Sequence, residues 1–161
     1  MPTRVLWIED GAKAEVKTYA PPLRTNPRYR LDVALTATEG MERIGQREYD
    51  VVIVDIRLEP GSDPYWDKLY RKQTAGSGPA RLGLELLRSL LASTDSARRT
   101  PVWIRPSTFG VLTIEPEEQI GKDIAALGVT AYCQKELLQD PRALLRLVEQ
   151  VEKGKSASAT N

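Results

Sequence analysis

The sequence predicts an α/β fold in which a parallel sheet is covered by helices on both faces. Short apolar runs alternate with longer amphipathic segments five times along the chain, which is the pattern of a doubly wound sheet. The length of 161 residues fits one domain and suffices for a sizeable core without disulfide or metal support. We therefore expect five parallel strands in a single domain.

Five apolar runs are the predicted strands. Each run is too short for a helix, and most are rich in valine and isoleucine, which favour extended structure. The predicted strands are residues 4–8, 33–35, 51–54, 102–104 and 131–133.

The segments between these runs carry helix signals. Thr36 and Glu39 have the spacing of a capping box, and Asp140 followed by Pro141 is a cap with proline in the first turn. The predicted helices are residues 13–19, 37–47, 81–92, 116–128 and a last helix that follows residue 140.

Two predicted loops exceed ordinary length, at residues 58–80 and 106–115. Tyr65 and Trp66 favour some order in the first loop, because flexible linkers lack aromatic residues. The small polar residues 154–161 predict a disordered tail, so the folded domain is expected to span residues 1–153 with an insertion at about 58–80.

Composition excludes several classes of function. With 23 basic and 22 acidic residues, the chain has no overall charge that would attract nucleic acid or a membrane, and neither is expected as a partner. The chain has no histidine, which excludes Ser/His and Cys/His nucleophile pairs and histidine zinc sites. The single cysteine, Cys133, and the absence of a bilayer-length apolar run predict a cytoplasmic protein.

Polar residues follow the predicted strands at the edge where doubly wound sheets bind ligands. Because the carboxyl ends of parallel strands meet at one edge, we expect these side chains to converge. They are Glu9, Asp10, Asp55, Ser107, Thr108 and Lys135.

Clustered carboxylates repel one another and are kept ionised by a divalent cation, and all-oxygen ligands select Mg²⁺ over zinc. Mg²⁺ beside the Lys135 ammonium would neutralise phosphate oxygens while a carboxylate attacks phosphorus. Asp55 ends the apolar run 51–54, so it has the least freedom and is the expected phosphoryl acceptor.

With these motifs in view, the chain resembles the receiver domain of two-component response regulators, the CheY-like family, over residues 3 to about 152. Four stretches carry the resemblance in order: RVLWIED, YDVVIVDIRL, LGLELLRSL and GVTAYCQKELL. The resemblance implies a flavodoxin-like sheet with strand order 2-1-3-4-5. It also implies a signalling switch that is not an enzyme beyond its own phosphorylation and dephosphorylation.

The resemblance assigns roles to individual residues. Glu9, Asp10 and Asp55 would bind Mg²⁺ together with the backbone carbonyl of Arg57. Asp55 would receive the phosphoryl group from a sensor histidine kinase or a phosphotransfer protein, and Lys135 would pair with the acyl phosphate.

Two further roles in the family belong to a hydroxyl and an aromatic residue. Tyr132 matches the aromatic that changes rotamer on activation, although a packed strand aromatic is an equal interpretation. The family has Thr or Ser at the end of strand four, where the predicted strand places Pro106, so Ser107 or Thr108 would have to serve. Glu136 replaces the proline that usually follows the lysine.

Three hypotheses follow. The first is a single-domain response regulator whose last helix ends the fold and whose output is binding to a downstream protein, with a homodimer left open. The second is a receiver-like interaction module without phosphorylation, motivated by Pro106, Glu136 and the insertion. The third, a Mg²⁺-dependent phosphohydrolase, is disfavoured because Arg57 stands where such enzymes need a second acid.

Overall fold

The computed structural model describes residues 1–92, 100–136 and 140–159. Within them a five-stranded parallel sheet has the order β2-β1-β3-β4-β5, which confirms both the predicted fold class and the strand order. The strands are β1 Thr3–Ile8, β2 Tyr29–Ala34, β3 Val51–Val54, β4 Phe109–Thr113 and β5 Ala131–Gln134.

Helices cover both faces of the sheet and enclose two apolar clusters. One cluster joins the sheet to α1, α2 and α7, and the other joins it to α3, α4, α5 and α6. No helix in the described ranges has the length and apolar character needed to cross a membrane. The helices are α1 Ala12–Tyr19, α2 Pro21–Arg24, α3 Ala37–Gln46, α4 Pro64–Thr74, α5 Leu82–Leu91, α6 Glu117–Ala126 and α7 Ala143–Ala159.

The predicted cap of α3 is confirmed. The Thr36 hydroxyl accepts a hydrogen bond from the Glu39 backbone N–H at 3.1 Å. The Glu39 carboxylate accepts one from the Leu35 N–H at 2.9 Å, so side chains satisfy two backbone donors at this helix start.

The predicted fourth strand, residues 102–104, is wrong. The fourth strand is Phe109–Thr113, which pairs with β3, is buried along its whole length and falls within the predicted loop 106–115. Pro101 and Pro106 flank the short run 102–104 and lack the N–H that a central strand donates. The chain instead enters β4 through a 3₁₀ helix, Pro106–Thr108.

The insertion at 58–80 is ordered and contains α4. The Asp63 side chain caps this helix by accepting from the Tyr65 N–H at 2.9 Å, and Pro64 occupies its first turn. Trp66 is buried in the apolar cluster beneath, which anchors the helix. Gly61 has a φ of 82°, a conformation that favours glycine, at the turn leading into α4.

Residues 154–159, which the sequence assigns to a disordered tail, continue α7 in the structure, and the domain boundary at residue 153 stays a prediction. These residues are held at the amino edge of the sheet, where the Lys155 ammonium donates to the Asp50 carbonyl at 2.7 Å. Residues 160–161 lie outside the described residues.

Candidate functional site

The site lies at the carboxyl edge of the sheet, where the strand order reverses between β1 and β3. Glu9 and Asp10 directly follow β1, Asp55 directly follows β3, and Lys135 directly follows β5. Three strands therefore deliver these four side chains to one place, as the sequence predicts.

The three carboxylates form a group that fits a metal ion. Glu9, Asp10 and Asp55 each offer an oxygen, and these oxygens lie within 4.8 Å of one another. Glu9 and Asp55 are buried and Asp10 is half-buried. A compact set of oxygen donors suits Mg²⁺ or Mn²⁺ and offers none of the nitrogen or sulfur ligands of structural zinc sites.

Burial and mutual repulsion of the carboxylates favour the binding of a cation. Burial, followed by the charge of Asp55, raises the pKa of Glu9 to about 9. Burial and the same neighbouring charge raise the pKa of Asp10 to about 6. A divalent cation would stabilise the ionised forms, so its binding would release protons.

Lys135 contacts three carboxylates at once. Its ammonium donates to Glu9 Oε2 at 2.6 Å, to Glu15 Oε2 at 2.5 Å and to Asp55 Oδ2 at 3.1 Å. Burial alone would lower the pKa of Lys135, but the charges of Asp55 and Glu9 outweigh it and hold the pKa above its usual range. These charges therefore favour the protonated form of Lys135, and Glu15 is a fourth carboxylate beside it that the sequence motifs do not identify.

The backbone after Asp55 is fixed by a close helix contact. A Cβ atom on Gly83, in the first turn of α5, would lie 1.9 Å from the Asp55 carbonyl oxygen. The Gly83 N–H donates to the Ile56 carbonyl at 2.9 Å, and the Arg57 N–H donates to Asp55 Oδ1 at 3.1 Å. Only glycine permits this approach, which sets the position of the Asp55 carboxylate.

The expected hydroxyl residues, Ser107 and Thr108, lie away from the carboxylate pocket. They precede β4 and lie at the amino edge of the sheet, where Thr108 donates to the Trp103 carbonyl at 3.0 Å. The reason is the displaced strand, since β4 ends at Thr113. Thr113, the last residue of β4 at the carboxyl edge, is buried, and its hydroxyl accepts from the Glu115 N–H at 3.3 Å.

A buried carboxylate beside this edge holds two arginines. Glu115 accepts from Arg57 Nε at 2.9 Å and from Arg81 Nε at 3.2 Å, and its side chain is 2% exposed. Burial would raise the pKa of Glu115, but the hydrogen bonds from Arg81 and Arg57 lower it below its usual value. Arg81 also donates its N–H to Gln73 of α4 at 2.7 Å, so the insertion is tied to this cluster.

Tyr132 reaches the same place from β5. Its hydroxyl donates to the Glu115 backbone carbonyl at 2.5 Å. Burial raises the pKa of Tyr132 to about 12, so the hydroxyl keeps the proton that it donates. A change of Tyr132 rotamer on activation stays a prediction.

Three site residues were missed, each for a different reason. Thr113 ends the run FGVLT, a longer strand signal than residues 102–104 and free of proline. Glu15 lies in the helix that begins at the carboxyl end of β1, so its first turns had to pass beside the site. Glu115 carries no sequence signal, because its partners lie 34 and 58 positions away.

Fold and site together define a class: a doubly wound α/β protein with an acidic, lysine-bearing pocket at its switch point. No protein-family model and no curated protein sequence matches the chain.

Solved structures do match, and several of them are response regulators or their receiver domains. A CheY-like receiver domain protein from Methanospirillum hungatei JF-1 is 20% identical, with 98% of this chain and 99% of that chain covered and a TM-score of 0.65. The chemotaxis response regulator CheY4 of Vibrio cholerae is 17% identical over 94% of this chain and 99% of that chain, with a TM-score of 0.58.

The Mn²⁺-bound form of response regulator Rcp1 is 20% identical over 94% of this chain and 93% of that chain, with a TM-score of 0.59. At these identities the likeness concerns the fold. The chain has the receiver-domain fold over nearly its whole length, which confirms the resemblance seen in the motifs.

Proposed function

We propose that this chain is a phosphorylation-dependent signalling switch that receives a phosphoryl group on Asp55 and then changes its binding to a partner protein. The observation that carries the proposal is the contact of the Lys135 ammonium with Asp55 Oδ2 at 3.1 Å, inside a cluster of carboxylates suited to a divalent cation. A buried carboxylate with an ammonium and a metal site beside it can act as an acceptor of phosphoryl groups.

The proposed reaction is an in-line displacement at phosphorus. A carboxylate oxygen of Asp55 forms the new O–P bond while the P–N bond of a phosphohistidine breaks. The electron pair of that bond stays on the imidazole nitrogen of a sensor histidine kinase or a phosphotransfer protein. With acetyl phosphate as the donor, the bond that breaks is P–O and acetate leaves.

The pocket residues have distinct parts in this step. Glu9, Asp10 and Asp55 would hold Mg²⁺ together with the backbone carbonyl of Arg57. Bound there, the ion would neutralise charge on the phosphoryl oxygens. The Lys135 ammonium would balance a further oxygen of the phosphoryl group.

Output would follow from local rearrangement at the end of β4. A phosphoryl group on Asp55 offers an acceptor to the Thr113 hydroxyl, which lies at the same edge of the sheet. Thr113 is two residues from Glu115, whose carbonyl holds the Tyr132 hydroxyl. A shift there would alter the surface of α6, β5 and α7, biasing two arrangements toward the one that a partner protein binds.

The test is phosphorylation by a small donor. The protein is incubated with acetyl phosphate and Mg²⁺, and its intact mass is measured. We expect the intact mass to increase by the mass of one phosphoryl group. This adduct should not form on the Asp55→Asn variant, and it should not form on the unaltered chain after Mg²⁺ is removed by chelation. A persistent adduct on Asp55→Asn would move the acceptor elsewhere, and the absence of any adduct on the unaltered chain would contradict the proposal.

The runner-up is a receiver-like interaction module that is not phosphorylated. It is favoured by the saturation of Lys135, all of whose ammonium hydrogens already have carboxylate partners. One of the sequence features that favoured this alternative no longer applies, because β4 ends at Thr113 and not at Pro106. The same mass measurement separates the two functions.

A further inference from the structure

The Lys135 ammonium has no N–H left to offer. An ammonium has three donors, and here they go to Glu9, Glu15 and Asp55 at 2.6, 2.5 and 3.1 Å. In the proposed function, on which this inference rests, Lys135 must donate to the phosphoryl group once Asp55 carries it. One of the three existing contacts must therefore break.

The geometry indicates which contact gives way. Glu9 and Asp55 belong to the group of oxygens that fits a metal ion, and Glu15 does not. The side chains of Glu9 and Asp55 are 1% and 5% exposed, whereas that of Glu15 is 21% exposed. Glu15 alone can turn toward water without losing a metal contact or burying an unpaired charge.

We propose that Glu15 is a built-in competitor for Lys135, which it holds in the unphosphorylated state and releases when a phosphoryl group arrives on Asp55. Glu15 is thus a positioning residue that sets how readily the pocket accepts an anion. It contacts the lysine and lies outside the group of carboxylates that fits the metal ion.

Charge supports the same direction. Four carboxylates, those of Glu9, Asp10, Glu15 and Asp55, stand against one ammonium and one divalent cation, which leaves a net charge of −1 when all are ionised. Without Glu15, the pocket with a divalent cation bound would have no net charge. The extra carboxylate therefore attracts a metal cation and repels an incoming phosphoryl anion.

The test uses these opposite effects of Glu15 on the affinity for a metal cation and for a phosphoryl anion. Glu15→Gln keeps the shape of the side chain and removes its charge, and Glu42→Gln removes the same charge from an exposed position on α3. Affinity for Mg²⁺ alone is measured by calorimetry. Affinity for beryllofluoride, an analogue of the phosphoryl group, is then measured at saturating Mg²⁺, and thermal unfolding checks that each variant is folded.

We expect Glu15→Gln to bind beryllofluoride about tenfold more tightly than the unaltered chain, because a charged competitor for the lysine becomes a neutral one. Mg²⁺ should bind several-fold more weakly, and Glu42→Gln should change neither affinity. Glu15→Ala, which removes the acceptor as well, should bind beryllofluoride at least as tightly as Glu15→Gln.

If Glu15→Gln damages the pocket, both Mg²⁺ and beryllofluoride will bind more weakly, and that result would overturn the inference. An unchanged beryllofluoride affinity in Glu15→Gln would do the same while leaving the proposed function intact. Failure of the unaltered chain to bind beryllofluoride at all would contradict the proposed function, and this inference with it.

Discussion

The buried carboxylate of Glu115 provides a quantitative test of how the site is braced. It accepts hydrogen bonds from Arg57 Nε at 2.9 Å and from two nitrogens of Arg81 at 3.2 and 3.3 Å. Glu115→Gln removes the charge and keeps the volume. Each charge-assisted bond contributes about 1.5–3 kcal/mol when fully buried.

The exposure of the arginines reduces that figure. The Arg57 and Arg81 side chains are 43% and 30% exposed, so both guanidinium groups can be rehydrated in the variant. We therefore expect Glu115→Gln to cost about 2 kcal/mol in the free energy of unfolding. For a domain of this size the melting temperature should fall by about 4–8 °C.

The pH dependence of this loss identifies its cause. The pKa of Glu115 is lower in the folded chain than its ordinary value of 4.5, so the ionised form stabilises the fold. That stabilisation is complete above pH 4.5 and is lost as the pH falls through the lower folded value. The difference in the free energy of unfolding between the unaltered chain and Glu115→Gln should have its full value at pH 7 and should decrease below pH 4.5.

The free energy of unfolding of both proteins is measured by urea denaturation between pH 3 and pH 8. Arg71→Gln is the matched control, because Arg71 forms an exposed ion pair with Asp67 on α4 and should matter by less than about 0.5 kcal/mol. A loss below that level for Glu115→Gln, or a loss that does not vary with pH, would refute the reasoning.

Three other predictions address the backbone, the insertion and the metal. Gly83→Ala places a methyl group against a backbone oxygen 1.9 Å away and should cost about 3 kcal/mol or more in urea denaturation; a neutral result would contradict the close contact. Trp66→Ala should cost about 3–5 kcal/mol, whereas Tyr65→Ala, at a half-exposed position, should cost little; equal losses would mean that α4 is not anchored. Mg²⁺ affinity, measured by calorimetry, should rise as the pH increases through about 6 and on toward 9, because Asp10 and Glu9 must lose protons to bind the ion; a flat profile would contradict the raised pKa values of these two residues.

Much of the fold follows from local pattern. The strand Val51–Val54 was predicted to the residue because it is a bounded run of β-branched residues buried on both faces. The fourth strand is harder to place, because two apolar runs lie close together and only the prolines that flank the shorter run distinguish them. The error in this strand moved the expected hydroxyl from Thr113 to Ser107 and Thr108, at the opposite edge of the sheet.

Tertiary contacts account for the rest. Glu9, Asp10, Asp55 and Lys135 were predictable because a parallel sheet brings the carboxyl ends of its strands together whatever the intervening sequence. Glu15 could not be ranked above the other acidic residues on helices until the position of Lys135 was known. The order within the insertion likewise depends on Trp66 finding a place in the core, which no local pattern specifies.

Asp55 is proposed to accept a phosphoryl group beside a bound Mg²⁺ ion. A crystal structure of the chain with Mg²⁺ and beryllofluoride tests this proposal most directly. We expect beryllium bonded to an Asp55 oxygen, Mg²⁺ bound by Glu9 and Asp10, and the Lys135 ammonium turned from Glu15 to a fluoride. A structure in which the analogue is bound elsewhere, or in which Asp55 stays unmodified at saturating concentrations of both, would contradict it.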